Sequence, residues 1–139
     1  MWPALAFAVL AGASLAAGCG GGEHRDQLRP PAPINLTASV SSRGVAVSPT
    51  SVGAGPIVLI VTNQTPTSQE VTFESDPLGA HEGGVAQTTE PINPHGTGQL
   101  MVDVGQGSYR VRAANPDIEP ATVTVGPRRQ SAQNQVLQP

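Results

Sequence analysis

The stretch Ile57-Val58-Leu59-Ile60-Val61 decides the fold of this chain. It is the only continuous apolar run outside the N-terminal region, and most of its residues are branched at Cβ. A run of this length is too short for a buried helix and is typical of a strand. Because no polar residue interrupts it, the sequence predicts a central strand that is covered on both faces.

Short alternating segments lie on both sides of this run. Residues 34–40 alternate between apolar and polar, and a turn at 41–44 leads into Val45-Ala46-Val47. Further alternation predicts strands at 71–74, near Val85, at 99–104, at 109–113 and at 121–125. Gly105-Gln106-Gly107 is predicted to join two of these strands in a hairpin, and residues 75–94 form a long crossover. The sequence therefore predicts an all-β domain of seven or eight strands.

The first 17 residues have the composition of a signal peptide, because they carry no charged side chain and are mostly apolar. The run is too short to span a bilayer, which takes about 20 apolar residues. It ends in Leu15-Ala16-Ala17-Gly18-Cys19, and Cys19 is the only cysteine of the chain. Small residues before a single cysteine resemble the lipobox of bacterial lipoproteins. That resemblance implies cleavage after Gly18 and acyl chains on Cys19; the alternative is an ordinary thiol.

These observations divide the chain into four parts. Residues 1–18 are predicted to be a lipoprotein signal peptide, a helix that is removed by cleavage, and residues 19–33 a flexible tether rich in glycine and proline. Residues 34–126 form the β-sandwich domain, and residues 127–139 are predicted to be a disordered tail. The localisation that follows is the extracytoplasmic face of a cell membrane, with the protein held there by its lipid.

The charge and cysteine content exclude some classes of function. The net charge is −3 and the chain contains no lysine, so it lacks the basic surface that nucleic-acid binding requires. No cysteine remains after Cys19, so no disulfide can form within the domain. Valine supplies most of the predicted core, because only Phe73 and Tyr109 remain as aromatic residues after the signal peptide.

Three pieces of the sequence resemble a cupredoxin-like domain, a Greek-key β-sandwich. They are Val47-Ser48-Pro49 leading into 57–63, Gln69-Glu70-Val71-Thr72-Phe73, and Val104 to Tyr109 leading to a last strand that ends at Val125-Gly126. The resemblance covers residues 45–126. The Gly-x-Tyr at 107–109 also resembles the tyrosine corner of immunoglobulin-like sandwiches, so an immunoglobulin-like fold is the alternative.

The resemblance implies where a copper-binding member would carry its ligands. A histidine would precede the strand after the asparagine turn, and a cysteine, a second histidine and usually a methionine would lie in or after the penultimate strand. This chain has Gln69 at the first position, Ala113 at the second, and Asn115 and Pro116 after it. A blue-copper centre needs two imidazoles and a thiolate. The sequence therefore predicts no cofactor and argues against electron transfer.

Other candidate metal ligands are histidines in the loops. His81, together with nearby acids at 74, 76 and 82, has ligand types for a cation, although a solvated loop explains the same residues. His95 lies between Pro94 and Gly96 and is interpreted as a turn residue. With Met101, these two histidines are the ligands that a weak copper site would use.

Two further features concern catalysis and charge. No Gly-x-Ser-x-Gly nucleophile elbow occurs, and we predict that the protein is not an enzyme. Arg110 and Arg112 share the outward face of one predicted strand. They are interpreted as charges that keep a sheet edge soluble, with an acidic or phosphate partner as the alternative.

The predicted function is a membrane-anchored extracytoplasmic lipoprotein whose non-catalytic β-sandwich is a binding or structural module of the cell envelope. Its predicted partners are the membrane, through the lipid on Cys19, and an envelope protein or wall polymer, with no nucleic acid. The alternative is a divergent cupredoxin-like protein that handles copper through His81, His95 or Met101.

Overall fold

The computed structural model describes residues 29–76 and 84–132, which contain eight strands and no helix. Within these ranges no helical segment has the length and apolar character needed to cross a membrane. The strands are β1 (Ile34–Val40), β2 (Val45–Ser48), β3 (Ser51–Asn63), β4 (Val71–Ser75), β5 (Ala86–Thr88), β6 (Thr97–Val104), β7 (Gly107–Ala113) and β8 (Ala121–Arg128).

The strands form two layers that share the long strand β3. The first layer has the order β2-β1-β3-β6, and the second has the order β3-β8-β7-β4-β5. Residues 51–54 of β3 pair with β8, and residues 55–62 pair with β6. A register shift between Gly53 and Ala54 marks the change of layer. The described part of the chain is thus the all-β sandwich that the sequence predicts.

The core lies between the two layers and is built mainly from valine, as expected. Phe73 and Tyr109 stack within it, with ring centroids 5.1 Å apart and an angle of 23° between the planes. Their large apolar areas contribute strongly to the core. The other fully buried side chains are mostly aliphatic: Leu36, Val40, Ile57, Leu59, Val61, Val71, Val104, Val111, Val123 and Val125.

The apolar run at 57–61 forms the centre of β3, with β1 on one side and β6 on the other. Ile57, Leu59 and Val61 are fully buried, whereas Val58 and Ile60 are only half-buried. The prediction of a central strand is confirmed, but the prediction that both faces are covered is wrong. Among the described residues no further layer covers the outer face, and neighbouring side chains shield it only in part.

The predicted hairpin between β6 and β7 is also wrong. β6 pairs with β3 in the first layer, whereas β7 pairs with β4 and β8 in the second. The short connection at 105–106 therefore crosses between the layers. It is closed by the Tyr109 hydroxyl, which donates to the Gly105 carbonyl at 2.9 Å, the bond of a tyrosine corner.

The domain is longer at both ends than the sequence predicts. β8 continues past Gly126 to Arg128, and the Arg129 N–H donates to the Ala54 carbonyl at 3.0 Å. At the other end Pro31, within the predicted tether, is buried. The expected boundaries at 33 and 126 are therefore corrected, because local composition does not reveal these contacts. Residues 19–28 and 133–139 lie outside the described part.

Strand directions divide the connections between two ends of the sandwich. We call the end at which the chain enters β1 the proximal end; it also holds the connection at 105–106 and the end of β8. The opposite, distal end holds the loops 41–44, 64–70, 89–96 and 114–120. The distal end is where the predicted ligand positions lie.

Candidate functional site

A buried amide organises the distal end. Asn63, the last residue of β3, is fully buried, and its Nδ2 donates to the carbonyls of Thr67 at 2.8 Å and Ile92 at 3.0 Å, with a longer bond to Asn93 at 3.2 Å. Its Oδ1 accepts the N–H of Thr65 at 2.9 Å and the hydroxyl of Thr65 at 2.7 Å. One neutral side chain thus joins the loops 64–70 and 89–96.

Gln69 occupies the first predicted ligand position and is buried. Its backbone N–H donates to the Ile92 carbonyl at 3.0 Å, and the Ile92 N–H donates back at 2.8 Å. Its side-chain Nε2 donates to the Thr67 hydroxyl at 2.9 Å. The side chain is thus hydrogen-bonded inside the protein.

The second predicted ligand position lies beside the first. Ala113 is buried and pairs with Val71, and the Ala114 N–H donates to the Glu70 carbonyl at 2.9 Å. Beyond it, the exposed Asn115 accepts the Asp117 N–H on its Oδ1 at 3.0 Å, which forms a turn. Ile118 then packs into the core. Methyl and aliphatic groups therefore fill this side of the site.

These residues do not fit a blue-copper ion. Gln69 offers an amide and Ala113 offers no donor, so the thiolate and the imidazoles of such a centre are missing. Across 29–76 and 84–132, no group of three histidine, cysteine or acidic side chains is placed to hold a metal ion. The fold is a cupredoxin-like sandwich, and amide and aliphatic side chains lie at the positions where the resemblance implies copper ligands.

Solved structures support this fold. The chain is similar to auracyanin A, a blue copper protein of Chloroflexus aurantiacus, with a TM-score of 0.52 and 12% identity over 68% of this chain and 100% of that one. It is also similar to auracyanin of Roseiflexus castenholzii, with a TM-score of 0.49 and 11% identity over 71% and 100%. A single-residue variant of amicyanin in its Cu(I) form has a TM-score of 0.45 and 13% identity over 65% and 80%.

At these identities the likeness concerns the fold alone, and among them only auracyanin A has a TM-score that carries the argument. No protein-family model matches the sequence, and no curated protein matches it. The cupredoxin-like fold is therefore confirmed, in preference to the immunoglobulin-like alternative.

The remaining candidate metal ligands are scattered. His95 is exposed in the turn at 93–96, with φ at 58°, and the Gly96 N–H donates to the Asn93 carbonyl at 2.9 Å. This is the turn position that the sequence predicts. His81 and Cys19 lie outside the described residues, so the structure does not place them relative to His95.

Two of the three acids predicted to accompany His81 are engaged by arginine, and the third, Glu82, lies outside the described residues. Arg110 donates to Asp76 at 3.0 Å, and Arg112 donates to Glu74 at 2.9 Å. These pairs link β7 to β4, which lie side by side within the second layer. The interpretation of the two arginines as edge charges is therefore wrong, because β7 is an interior strand.

Two shallow clefts mark the surface of the described domain. One, of about 310 Å³, is lined by β1, β2 and β3 and carries hydroxyl and amide groups but no titratable side chain. The other, of about 230 Å³, lies between residues 89–93 and the first half of β6, and Glu90 is its only acid. Neither cleft brings a nucleophile, a base and an orienting acid together.

Sequence reasoning missed two residues that organise the ends of the sandwich. Asn63 continues the alternation of Ile57, Leu59 and Val61, so the period of two along the strand would have predicted that its side chain is buried. Arg129 donates from its guanidinium to the carbonyls of Gly53 at 3.1 Å, Ala32 at 2.7 Å and Pro56 at 2.6 Å. No local signal marks it, because its acceptors lie far away in the sequence.

Proposed function

We propose that this protein is a lipoprotein, anchored through acyl chains on Cys19 to the extracytoplasmic face of a cell membrane. Its sandwich is a non-catalytic binding or structural module of the cell envelope. The observation that carries the proposal is the polarity of the domain. The chain enters at the proximal end, while the loops 64–70, 89–96 and 114–120 gather at the distal end.

This polarity suits a tethered module, because the loops face away from the point of attachment. A flexible linker of the length that separates Cys19 from the buried Pro31 would reach roughly 20 Å, enough to clear the lipid headgroups. Two or three acyl chains anchor a protein stably where one chain alone binds marginally. The distal loops then face the envelope, and the proximal end faces the membrane.

The chemistry of the distal end supports binding and not catalysis. Its exposed loop residues include Pro66, Pro94, Asn115 and Pro116, which are rigid or polar groups without a nucleophile and base in contact. Rigid loops on a scaffold are a common form of protein-recognition surface. An envelope protein or a wall polymer is the partner class that this surface and location favour.

The anchor is tested by Cys19→Ala in the full chain, followed in membrane and soluble fractions and by incorporation of labelled palmitate. We expect loss of the label and release from the membrane, whereas Ser14→Ala, a small change in the same apolar run, keeps both. Unchanged membrane attachment of the Cys19→Ala protein would refute the anchor.

The binding role is tested with a photocrosslinking residue placed at Asn115 in the distal end or, as the control, at Gln106 in the proximal end. Both positions are exposed. We expect a discrete envelope adduct from position 115 and none from position 106. Equal adducts from both positions, or none from either, would contradict a distal binding surface.

The alternative function is copper handling, suggested by the fold shared with blue copper auracyanin A. Titration of the purified protein with Cu(I) and Cu(II) separates the two functions. Our proposal expects no stoichiometric binding. Tight binding that is lost in His81→Ala or His95→Ala would favour copper handling instead.

A further inference from the structure

Strand β6 is the longest exposed edge of the described sandwich. It ends the first layer and pairs with β3 alone, over eight residues without a register shift. The other edge strands, β2 and β5, have four and three residues. A long unpaired edge presents backbone donors and acceptors to another strand.

The ladder with β3 shows which backbone groups of β6 point outward. Pro56 lies opposite Asp103, has no N–H, and directs its carbonyl to Arg129, so this pair is not hydrogen-bonded. In an antiparallel ladder hydrogen-bonded and non-bonded pairs alternate. Met101 and Gln99 therefore also lie in non-bonded pairs. The bond from the Asn63 N–H to the Gly96 carbonyl fits the same alternation.

The N–H and C=O groups of Gln99, Met101 and Asp103 thus point away from β3. No backbone hydrogen bond to another described segment satisfies them. The same three residues have exposed side chains. Met101 is 67% exposed and is the only large hydrophobic residue of the described part that is exposed.

The edge lacks the features that usually block strand addition. β6 contains no proline, no lysine and no bulge. Its only charge is Asp103, which lies 4.0 Å from Arg128. The cleft beside Thr97 and Gln99 occupies the first half of the strand, with residues 89–93 as its other wall. Gln99, Met101 and Asp103 all remain exposed, so the strand is open to a neighbour from Gln99 onward.

We propose that β6 pairs with β6 of a second copy of this chain, antiparallel and about a twofold axis at Met101. In this register the two Met101 side chains meet, and Gln99 faces Asp103 of the second copy, as amide and carboxylate. On the inner face Leu100 lies opposite Val102 of the second copy. About six interchain backbone bonds form, two for each hydrogen-bonded pair.

A second copy fits this edge better than an unrelated charged strand. The edge is complementary to itself. In the twofold register no like charges lie opposite each other, and each Met101 side chain is covered by the Met101 of the other copy. An isologous contact of this kind closes as a dimer and does not propagate into a fibre. The inference rests on the domain alone, so it stands or falls separately from the lipid anchor.

The first test places a single cysteine at the twofold axis in the full chain, extracted in mild detergent. Cross-strand Cα atoms in a hydrogen-bonded pair lie about 5.5 Å apart, within the range of a disulfide. We expect Met101→Cys to form a covalent dimer on mild oxidation. Gln99→Cys is the matched control, since its two copies would lie roughly 13 Å apart, four residues out of register.

The unsubstituted chain is the control for any disulfide-linked dimer that forms through Cys19 and not through the introduced cysteine. Equal crosslinking of Met101→Cys and Gln99→Cys, or none from either, would overturn the proposed register.

The second test removes a donor from the edge and follows the molar mass by light scattering. Met101→Pro deletes an outward N–H without removing a bond to β3, so we expect the parent to be a dimer and this variant a monomer. Ala86→Pro makes the same change on the edge strand β5. Val85 and Thr89 are hydrogen-bonded to Ser75 and Val71 of β4, so by alternation the Ala86 N–H points away from β4. That control should stay dimeric.

If Met101→Pro loses its fold by circular dichroism, Met101→Arg replaces it, because two arginines then meet at the axis. We expect its dimer dissociation constant to rise at least tenfold. A monomeric parent, or a dimer that survives these Met101 variants, would overturn the proposal.

Discussion

The two ends of the sandwich are held by opposite kinds of chemistry. The distal end is joined by the neutral amide of Asn63, which is fully buried and has all its polar atoms paired. The proximal end is joined by the guanidinium of Arg129, which is partly exposed and donates to three carbonyls. Buried neutral bonds resist salt and are expensive to break, whereas exposed charged contacts are weaker and adaptable. The loops that we propose to bind a partner are thus the more firmly held.

The largest expected effect comes from Asn63→Ala. The substitution leaves the Thr65 N–H without its acceptor. It also removes the amide donor from the carbonyls of Thr67 and Ile92, which keep only the Thr65 hydroxyl and weaker or backbone donors. We expect the free energy of unfolding in urea to fall by about 3 kcal/mol, with no dependence on salt. Asn115→Ala, at an exposed turn of the same end, should lower it by less than about 1 kcal/mol. Similar losses in the free energy of unfolding from both substitutions would mean that burial of Asn63 is not what stabilises the distal end.

Gly53→Ala should rank second. A Cβ at this position would lie 2.5 Å from Cγ of Arg129 and 3.1 Å from the Pro127 carbonyl, so the arginine must leave its acceptors. We expect the free energy of unfolding, measured in urea, to fall by about 2 kcal/mol. In the Arg129→Ala background the same substitution should be less harmful, which a double-mutant cycle measures. Additive losses would show that the clash with Arg129 is not the cause.

Arg129→Ala should lower the free energy of unfolding by about 1.5 kcal/mol, because the carbonyls of Gly53, Ala32 and Pro56 lose a charged donor. Pro31 and Pro33 carry no amide hydrogen, so hydrogen exchange should be followed at the start of β1, where it should rise because the arginine holds the entering chain. Arg129→Lys keeps the charge but loses the planar fork, so it should recover only part of the loss. Full recovery by lysine would indicate that charge and not geometry holds the proximal end.

The smallest effect is expected from Arg112→Ala, which breaks the ion pair with Glu74 between β7 and β4. The side chain is 46% exposed, so we expect less than about 1 kcal/mol. In 1 M NaCl, where the Debye length is about 3 Å, the difference from the parent should vanish. A salt-independent loss, measured by thermal unfolding, would point to packing of the arginine stem instead.

Local patterns predict the strands well because alternation is a property of neighbouring residues. Leu100, Val102 and Val104 are buried and Met101 and Asp103 exposed, as the period of two requires. The start of β3 was obscured by Pro49, Gly53 and Gly55, since these residues indicate turns. In the protein Pro49 lies in the turn before β3, and the two glycines lie where the continuous strand passes from one layer to the other.

Long-range pairing was not predictable from local patterns. The Gly-Gln-Gly turn before Tyr109 is compatible both with a hairpin and with a crossing between layers, and only the partners of β6 and β7 decide. Likewise the sequence shows that Gln69 and Ala113 lack copper donors, but not that Asn63 and Ile92 close the space around them. These contacts join segments that lie far apart along the chain.

The bond between Arg129 and Ala32 brings the two ends of the described sandwich within one side chain of each other. Because these two ends lie side by side, a short linker could join them in a circular permutant. A protein fused after residue 132 starts at the proximal end, where we propose that the chain is tethered to a membrane. It would leave the distal loops uncovered, so a C-terminal reporter can be used without masking the surface that we expect to bind.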